Sequence, residues 1–109
     1  MKNKVLSLLG LCKKAGHLIW GFDETTRALE KGNVELLLLA ADLSPKSAKE
    51  MIHLADRQNI NAVRLDVTME ELWYTLGKRV GILAVTQKGL ADRIVALTRA
   101  PQNEEESKV

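Results

Sequence analysis

The residues with the clearest potential for chemistry lie in the segment 16–32, GHLIWGFDETTRALEKG. Glu24 and Arg27 stand three residues apart there, which places an acid and a base on one face of a helix. Such a pair can read a guanine edge, because the carboxylate accepts from the imino and amino nitrogens while the guanidinium donates to O6. Gly21 directly precedes the predicted helix start, where a missing side chain lets another backbone approach the helix amides. The same residues with Asp23 also suit ordinary capping and intrahelical ion pairs, so spacing alone leaves both interpretations open.

Residues suited to enzymatic chemistry are sparse. His17 and His53 are far apart in the sequence, and no HExxH, CxxC or GxSxG spacing is present. Cys12 lies on an apolar stripe, which favours a packed thiol over a reactive one. Asp42 and Asp66 each follow a predicted strand, where open α/β sheets bind ligands, but both also suit turns and caps. Since neither GxGxxG nor GxxxxGK[ST] occurs, we predict no nucleotide cofactor, no metal site and no enzymatic activity.

The composition is that of one small globular domain. The chain has 109 residues, of which 46% are hydrophobic, and its single cysteine excludes an internal disulfide and a multi-thiolate zinc site. Only 4% of the residues are aromatic, too few for binding of single strands chiefly by base stacking. Its longest apolar runs are too short for a membrane span or a signal peptide. We therefore expect a cytoplasmic protein without a membrane partner.

Charge separates a body from a tail. Residues 1–100 carry 15 basic and 11 acidic side chains, a net charge of +4, whereas residues 101–109 carry three glutamates and one lysine. A basic body suits a polyanionic partner, although a surplus this small also occurs in proteins without one. We predict a single domain over residues 1–100 and a polar, disordered tail over residues 101–109.

The hydrophobic periodicity predicts an α-β-α-β-α-β-α-β-α order and thus an α/β protein, a three-layer α/β/α sandwich around a small sheet. The predicted strands are residues 17–20, 35–40, 62–65 and 80–85. The predicted helices are one capped by Asn3 and ended by Gly16, one from Asp23 to Lys31, one opened by Ser44 and Pro45, one from the Thr68–Glu71 capping box to Gly77, and one from Gly89 to Thr98.

The sequence resembles the kink-turn-binding ribosomal proteins of the L7Ae and L30e type, most closely their small bacterial members of the YlxQ type. The resemblance covers about residues 4–97 and rests on LLGLCKKAGHLIWG, GFDETTRALEKG, ELLLLAADLSP and LGKRVGILAVTQKGLADRI. It implies a mixed four-stranded sheet and binding to a kink-turn, a sharply bent RNA helix with tandem sheared G·A pairs. The implied partner is structured RNA, such as ribosomal RNA or another RNA of the translation apparatus.

The family motif at the second helix, Gly-x-Asn-Glu-x-x-Lys, transfers with one change. Gly21 matches the glycine, Glu24 the guanine-reading glutamate, and Arg27 the basic residue. Asp23 replaces the asparagine, and a carboxylate offers no hydrogen-bond donor and is repelled by phosphate. This replacement is expected to weaken binding or to shift the preferred RNA.

Two further departures bear on the predicted site. His17 stands where the family usually has lysine, and Trp73 where it usually has glycine. The short turn at residues 77–80 takes the place that covers the looped-out nucleotides in relatives. The full set of predicted RNA-binding residues is Lys13, Lys14, His17, Gly21, Asp23, Glu24, Arg27, Lys78, Arg79 and Val80, with the lysines and Arg79 neutralising phosphates.

One alternative keeps the fold but changes the function. In it the protein is a protein-interaction module with weakened RNA recognition, favoured by Asp23 and by any exposure of Trp73. Trp73 and Tyr74 point about 100° apart on a helix, so we expect one of them to be partly exposed at the margin of the core. In either case we expect a monomer.

Overall fold

The computed structural model describes the backbone of residues 2–108 and the side chains of residues 2–98. Five helices and four strands alternate along the chain, in the predicted order. They are α1 (Lys2–Lys14), β1 (Leu18–Trp20), α2 (Phe22–Glu30), β2 (Leu36–Leu39), α3 (Pro45–Arg57), β3 (Ala62–Arg64), α4 (Met69–Leu76), β4 (Ile82–Val85) and α5 (Lys88–Lys108).

The sheet is mixed and has the order β1-β4-β2-β3. Strand β4 pairs antiparallel with β1 and with β2, while β2 and β3 are parallel. Helices cover both faces of this sheet, so β2 is buried on both sides and reads as four consecutive leucines without a polar residue. The predicted three-layer sandwich with a mixed four-stranded sheet is confirmed.

The two faces of the sheet contribute to separate cores. Leu36 and Leu38 pack with α1, α4 and α5 on one face. Leu37 and Leu39 pack with α2 and α3 on the other. The fold thus places α2 on the opposite face of the sheet from α1 and α4.

Local capping chemistry sets most helix ends. The Ser44 hydroxyl accepts from the Ser47 amide, and Thr68 and Glu71 form the predicted capping box. The hydrogen bond from the Thr68 amide holds the pKa of the Glu71 carboxyl below its usual range. Helix α4 ends at Gly77, which is left-handed with φ 75°, a conformation that favours glycine.

Helix α2 begins at Phe22, one residue before the predicted Asp23, and Gly21 is its N-cap. The Gly21 amide still donates to the Ile82 carbonyl of β4, at 3.0 Å, while its own carbonyl already accepts from the Thr25 amide. The chain therefore passes from sheet to helix within a single residue. Asp23 lies inside the first turn, where no side chain caps the helix.

Helix α5 differs from its prediction at both ends. It begins at Lys88 because Gln87 accepts a hydrogen bond from the Leu90 amide, and it continues to Lys108 instead of ending near Thr98. The side chains of residues 99–109 lie outside the described part, so the distinct tail over residues 101–109 stays a prediction. Within the part of the chain that the structure describes, no helix is long and apolar enough to cross a membrane.

Thr25 supplies a test of the packing beneath α2. Its side chain is fully buried, and its hydroxyl has no hydrogen-bond partner among the described residues. We expect Thr25→Val to raise the free energy of unfolding by about 1 kcal/mol, because valine fills nearly the same space without an unpaired polar group. Urea denaturation measures this change.

Thr26→Val is the matched control on the same helix. The Thr26 hydroxyl is paired, donating to the Phe22 carbonyl at 2.8 Å, so its removal brings no comparable gain. A free energy of unfolding for Thr25→Val that is no higher than that of Thr26→Val contradicts the expectation.

Candidate functional site

The turn from β1 into α2 forms the centre of the candidate site. Gly21 has φ 95° and ψ 158°, which is strained for residues with a side chain. A Cβ atom placed on Gly21 meets no other atom within 4 Å. Glycine is thus required here by the backbone conformation, and the space beside the first amides of α2 is open to a ligand.

Glu24 and Arg27 project from the first turns of α2 as a preformed pair. Arg27 Nη2 donates to Glu24 Oε1 at 2.6 Å, and the two side chains are 60% and 67% exposed. An exposed pair of this kind contributes only about 0.2–1 kcal/mol to folding. Its chemical value is orientation, because it holds an acceptor and a donor side by side where an outside partner reaches both.

Asp23 lies next to this pair without a partner of its own. Its carboxylate is exposed and forms no hydrogen bond or ion pair with the described side chains. Two acids and one base therefore occupy the start of α2, so the end of the helix that attracts anions also carries negative charge. A phosphate near this turn is attracted by the helix dipole and repelled by the carboxylates of Asp23 and Glu24.

The turn after α4 is linked to the turn from β1 into α2 by a contact with the Trp20 ring. Lys78 Nζ lies 5.5 Å from the centroid of the Trp20 ring, and Lys13 Nζ lies 5.9 Å from it. Both distances are within the range of cation–π attraction. Since Trp20 directly precedes Gly21, this contact joins the end of α1 and the turn at residues 77–80 to the start of α2.

The structure brings together only some of the predicted residues. Lys14 and Arg79 are exposed and make no described side-chain contact, and Val80 is partly buried against the core. His17 lies at the opposite end of β1 from Gly21, where its carbonyl accepts from the Thr86 amide. The described contacts form two groups, Glu24 with Arg27 on α2 and Lys13 with Lys78 around Trp20. The chain connects them at Gly21, which follows Trp20 and is the N-cap of α2, with Asp23 in its first turn.

Trp20 is the member of the site that the sequence interpretation missed. From sequence it is only the last residue of the predicted strand 17–20. Its position at the end of a strand, immediately before Gly21, is the signal that could have identified it. In the structure it is the side chain on which two basic residues from different elements converge.

The side chains considered for other chemistry have structural roles or no partners. Asp42 Oδ1 accepts from the Met69 amide at 2.9 Å and so caps the start of α4. Cys12 is fully buried, and burial raises the pKa of its thiol. Among the described side chains, no group of three or more His, Cys, Asp or Glu residues is placed to hold a metal ion.

Trp73 and Tyr74 are more exposed than expected. Both lie on the surface of α4, at 47% and 79% exposure, and their rings stack with centroids 5.9 Å apart. The prediction that one of them would be partly exposed at the core margin is therefore too conservative. The reason is that Leu72 and Leu76 already form the buried face of this short helix.

Comparison with known proteins agrees with the fold. The chain is 32% identical over 95 residues to the large ribosomal subunit protein eL8 of Haloquadratum walsbyi, covering 84% of this chain and 78% of that protein. A protein of unknown function from Bacillus halodurans C superposes with a TM-score of 0.82 at 26% identity, covering 87% of this chain and 96% of the other. The Giardia lamblia 15.5kD RNA binding protein superposes at 0.75 with 16% identity, over 91% and 88% of the two chains, and so shares the fold.

A family model covers nearly all of the region that forms the two cores. It matches residues 3–95, from the first turn of α1 to the middle of α5. The chain belongs to the ribosomal protein L7Ae/L30e/S12e/Gadd45 family.

Proposed function

We propose that this protein binds structured RNA bent at a kink-turn and that it does so without catalysing a reaction. The observation that carries the proposal is the exposed Glu24–Arg27 pair at the start of α2, beside the open backbone of Gly21. This arrangement offers an acceptor and a donor for a guanine edge, together with free helix amides that suit a phosphate.

Recognition combines base contacts with backbone contacts. Glu24 accepts from the guanine imino and amino groups, and Arg27 donates to O6. Lys78 and Arg79 neutralise phosphates on the adjacent turn. The phosphate contacts position the RNA, and the base contacts select its sequence. Because a regular A-form duplex presents no such guanine edges together with a closely approaching backbone, the bent shape is selected.

The relatives support the class of partner. The family is described as one of ribosomal proteins, and eL8 of Haloquadratum walsbyi belongs to the large ribosomal subunit. We infer from this that the RNA is ribosomal or serves translation and that the protein acts in the cytoplasm. A monomer without a cofactor stays a prediction.

Bending of the RNA by the protein tests this function. A kink-turn RNA carries a donor fluorophore on one arm and an acceptor on the other. A protein that binds only the bent form shifts the population toward it, so energy transfer rises during the titration. A control RNA, in which the G·A pairs are replaced by Watson–Crick pairs, shows no rise. Unchanged energy transfer in the kink-turn RNA contradicts the proposal.

Asp23→Asn is expected to strengthen binding to the kink-turn RNA about fivefold. The amide removes a negative charge near phosphate and adds a donor, and one net hydrogen bond contributes about 1 kcal/mol. Isothermal titration calorimetry measures the difference. Asp56→Asn, an equal charge change on an exposed position of α3, is the control and leaves the affinity unchanged. Weaker binding by Asp23→Asn contradicts the assigned role.

A protein-interaction module with weakened RNA recognition is the second candidate. The observation that favours it is the exposed, stacked pair of Trp73 and Tyr74, since exposed aromatic side chains are enriched at protein interfaces. The bending measurement separates the two functions, because such a module leaves the kink-turn RNA open at every protein concentration.

A further inference from the structure

We infer that Lys13 is a positioning residue, which acts on RNA binding through the turn at residues 77–80 and not by contacting phosphate. The inference rests on the proposed RNA-binding function. From its charge alone, Lys13 was expected to neutralise phosphate, and the inference replaces that role with positioning. The adjacent Lys14 serves as the residue for comparison.

Lys13 is committed to the end of α4. Its ammonium group donates a hydrogen bond to the Leu76 carbonyl, in the last turn of that helix. Helix α4 has no basic residue of its own in that turn, so α1 supplies the positive charge that its C-terminal end favours. The bond is partly buried and joins residues 63 positions apart in the sequence. It therefore fixes where the chain leaves α4.

The Lys13 side chain also lies beside the turn at residues 77–80. Gly77 comes directly after Leu76, and a Cβ atom placed on Gly77 lies 3.9 Å from Lys13 Nζ. Lys78 then places its ammonium group over Trp20, the ring that Lys13 also approaches. Lys13 is thus bonded to the Leu76 carbonyl, just before the turn that carries Lys78. It also lies near the indole ring that Lys78 approaches.

A direct contact of Lys13 with phosphate would have to share the ammonium group with the Leu76 carbonyl and the Trp20 ring. The carbonyl occupies one of its three donors, so only the others are free for an outside acceptor. Lys14 has no such commitment, because its side chain is exposed and makes no described contact. The two adjacent lysines therefore differ in contact while they share charge and helix.

A double-mutant cycle tests the inference. The affinity of the full chain for the kink-turn RNA is measured for Lys13→Met, Lys78→Met and the double variant. One phosphate contact corresponds to a factor of roughly eight at about 0.1 M salt, and we expect Lys78→Met to lose about this much. Lys13→Met loses a similar factor, and the double variant loses little more than either single variant.

The cycle is repeated with Lys14→Met as the control. Its effect multiplies that of Lys78→Met, as expected for groups that act independently. Lys13→Arg, which keeps a donor and a cation at the same place, retains the affinity. The inference is overturned if the affinity loss of the Lys13→Met/Lys78→Met double variant equals the product of the two single losses. It is also overturned if Lys13→Met loses no affinity.

An RNA-free measurement separates failure of this inference from failure of the proposed function. The Gly77 amide donates to the Trp73 carbonyl at 2.8 Å, so its hydrogen exchange reports on the end of α4. In the free protein we expect faster exchange at Gly77 in Lys13→Met than in Lys14→Met. Equal exchange in the two variants overturns the positioning role, whether or not the protein prefers kink-turn RNA.

Discussion

Glu24→Ala is expected to remove most of the preference of this protein for a kink-turn RNA over a duplex in which Watson–Crick pairs replace the G·A pairs. A bidentate contact to a base edge contributes about 1–3 kcal/mol of discrimination, a factor of roughly 5 to 150 in the affinity ratio. The loss falls on the kink-turn RNA alone, because the control duplex offers no matching guanine edge. Parallel titrations of the two RNAs measure the ratio.

Glu30→Ala is the matched control for this prediction. Glu30 is exposed at the far end of the same helix, so its replacement changes the charge equally without touching the start of α2. It leaves the affinity ratio unchanged. If Glu24→Ala retains the full ratio, another residue reads the RNA, and the assignment of Glu24 is wrong.

Leu38→Ala is expected to lower the free energy of unfolding by about 2–5 kcal/mol, the largest stability effect that we predict. Leu38 is fully buried in β2, the strand that pairs with both β3 and β4. Its side chain packs with those of α1, α4 and α5, so truncation opens a cavity in that core. Chemical denaturation followed by circular dichroism gives the change.

Leu11→Ala provides the comparison at a surface leucine. Leu11 is 47% exposed on α1, so removal of its side chain leaves no closed cavity. We expect a change in the free energy of unfolding well below that of Leu38→Ala. Equal losses in the two variants contradict the arrangement of the core.

The helix ends show which parts of this fold are predictable from sequence. Ser44, Thr68, Glu71 and Gly77 act on backbone groups within a few residues, so the identity and spacing of these residues are sufficient. The predicted start of α2 differs from the observed one because Asp23 is a residue type that caps helices well. Gly21 takes that role instead, since its amide is still paired with β4, a contact between distant parts of the chain.

The site divides in the same way. Gly21, Glu24 and Arg27 belong to one short segment, so their spacing on a helix predicts that they lie together. The contact of Lys13 and Lys78 with Trp20 joins residues of α1, β1 and the turn after α4. No periodicity in the sequence reports that contact, because it depends on how α1 and α4 pack on the same face of the sheet.

The affinity ratio of the unmodified protein for kink-turn RNA and for the Watson–Crick control, measured at two salt concentrations, tests the central claim most directly. We predict tighter binding to the kink-turn RNA at both concentrations. Both affinities fall as salt rises, because Lys78 and Arg79 release counterions from either RNA. Equal affinity for the two RNAs contradicts selective recognition of a kink-turn by the start of α2.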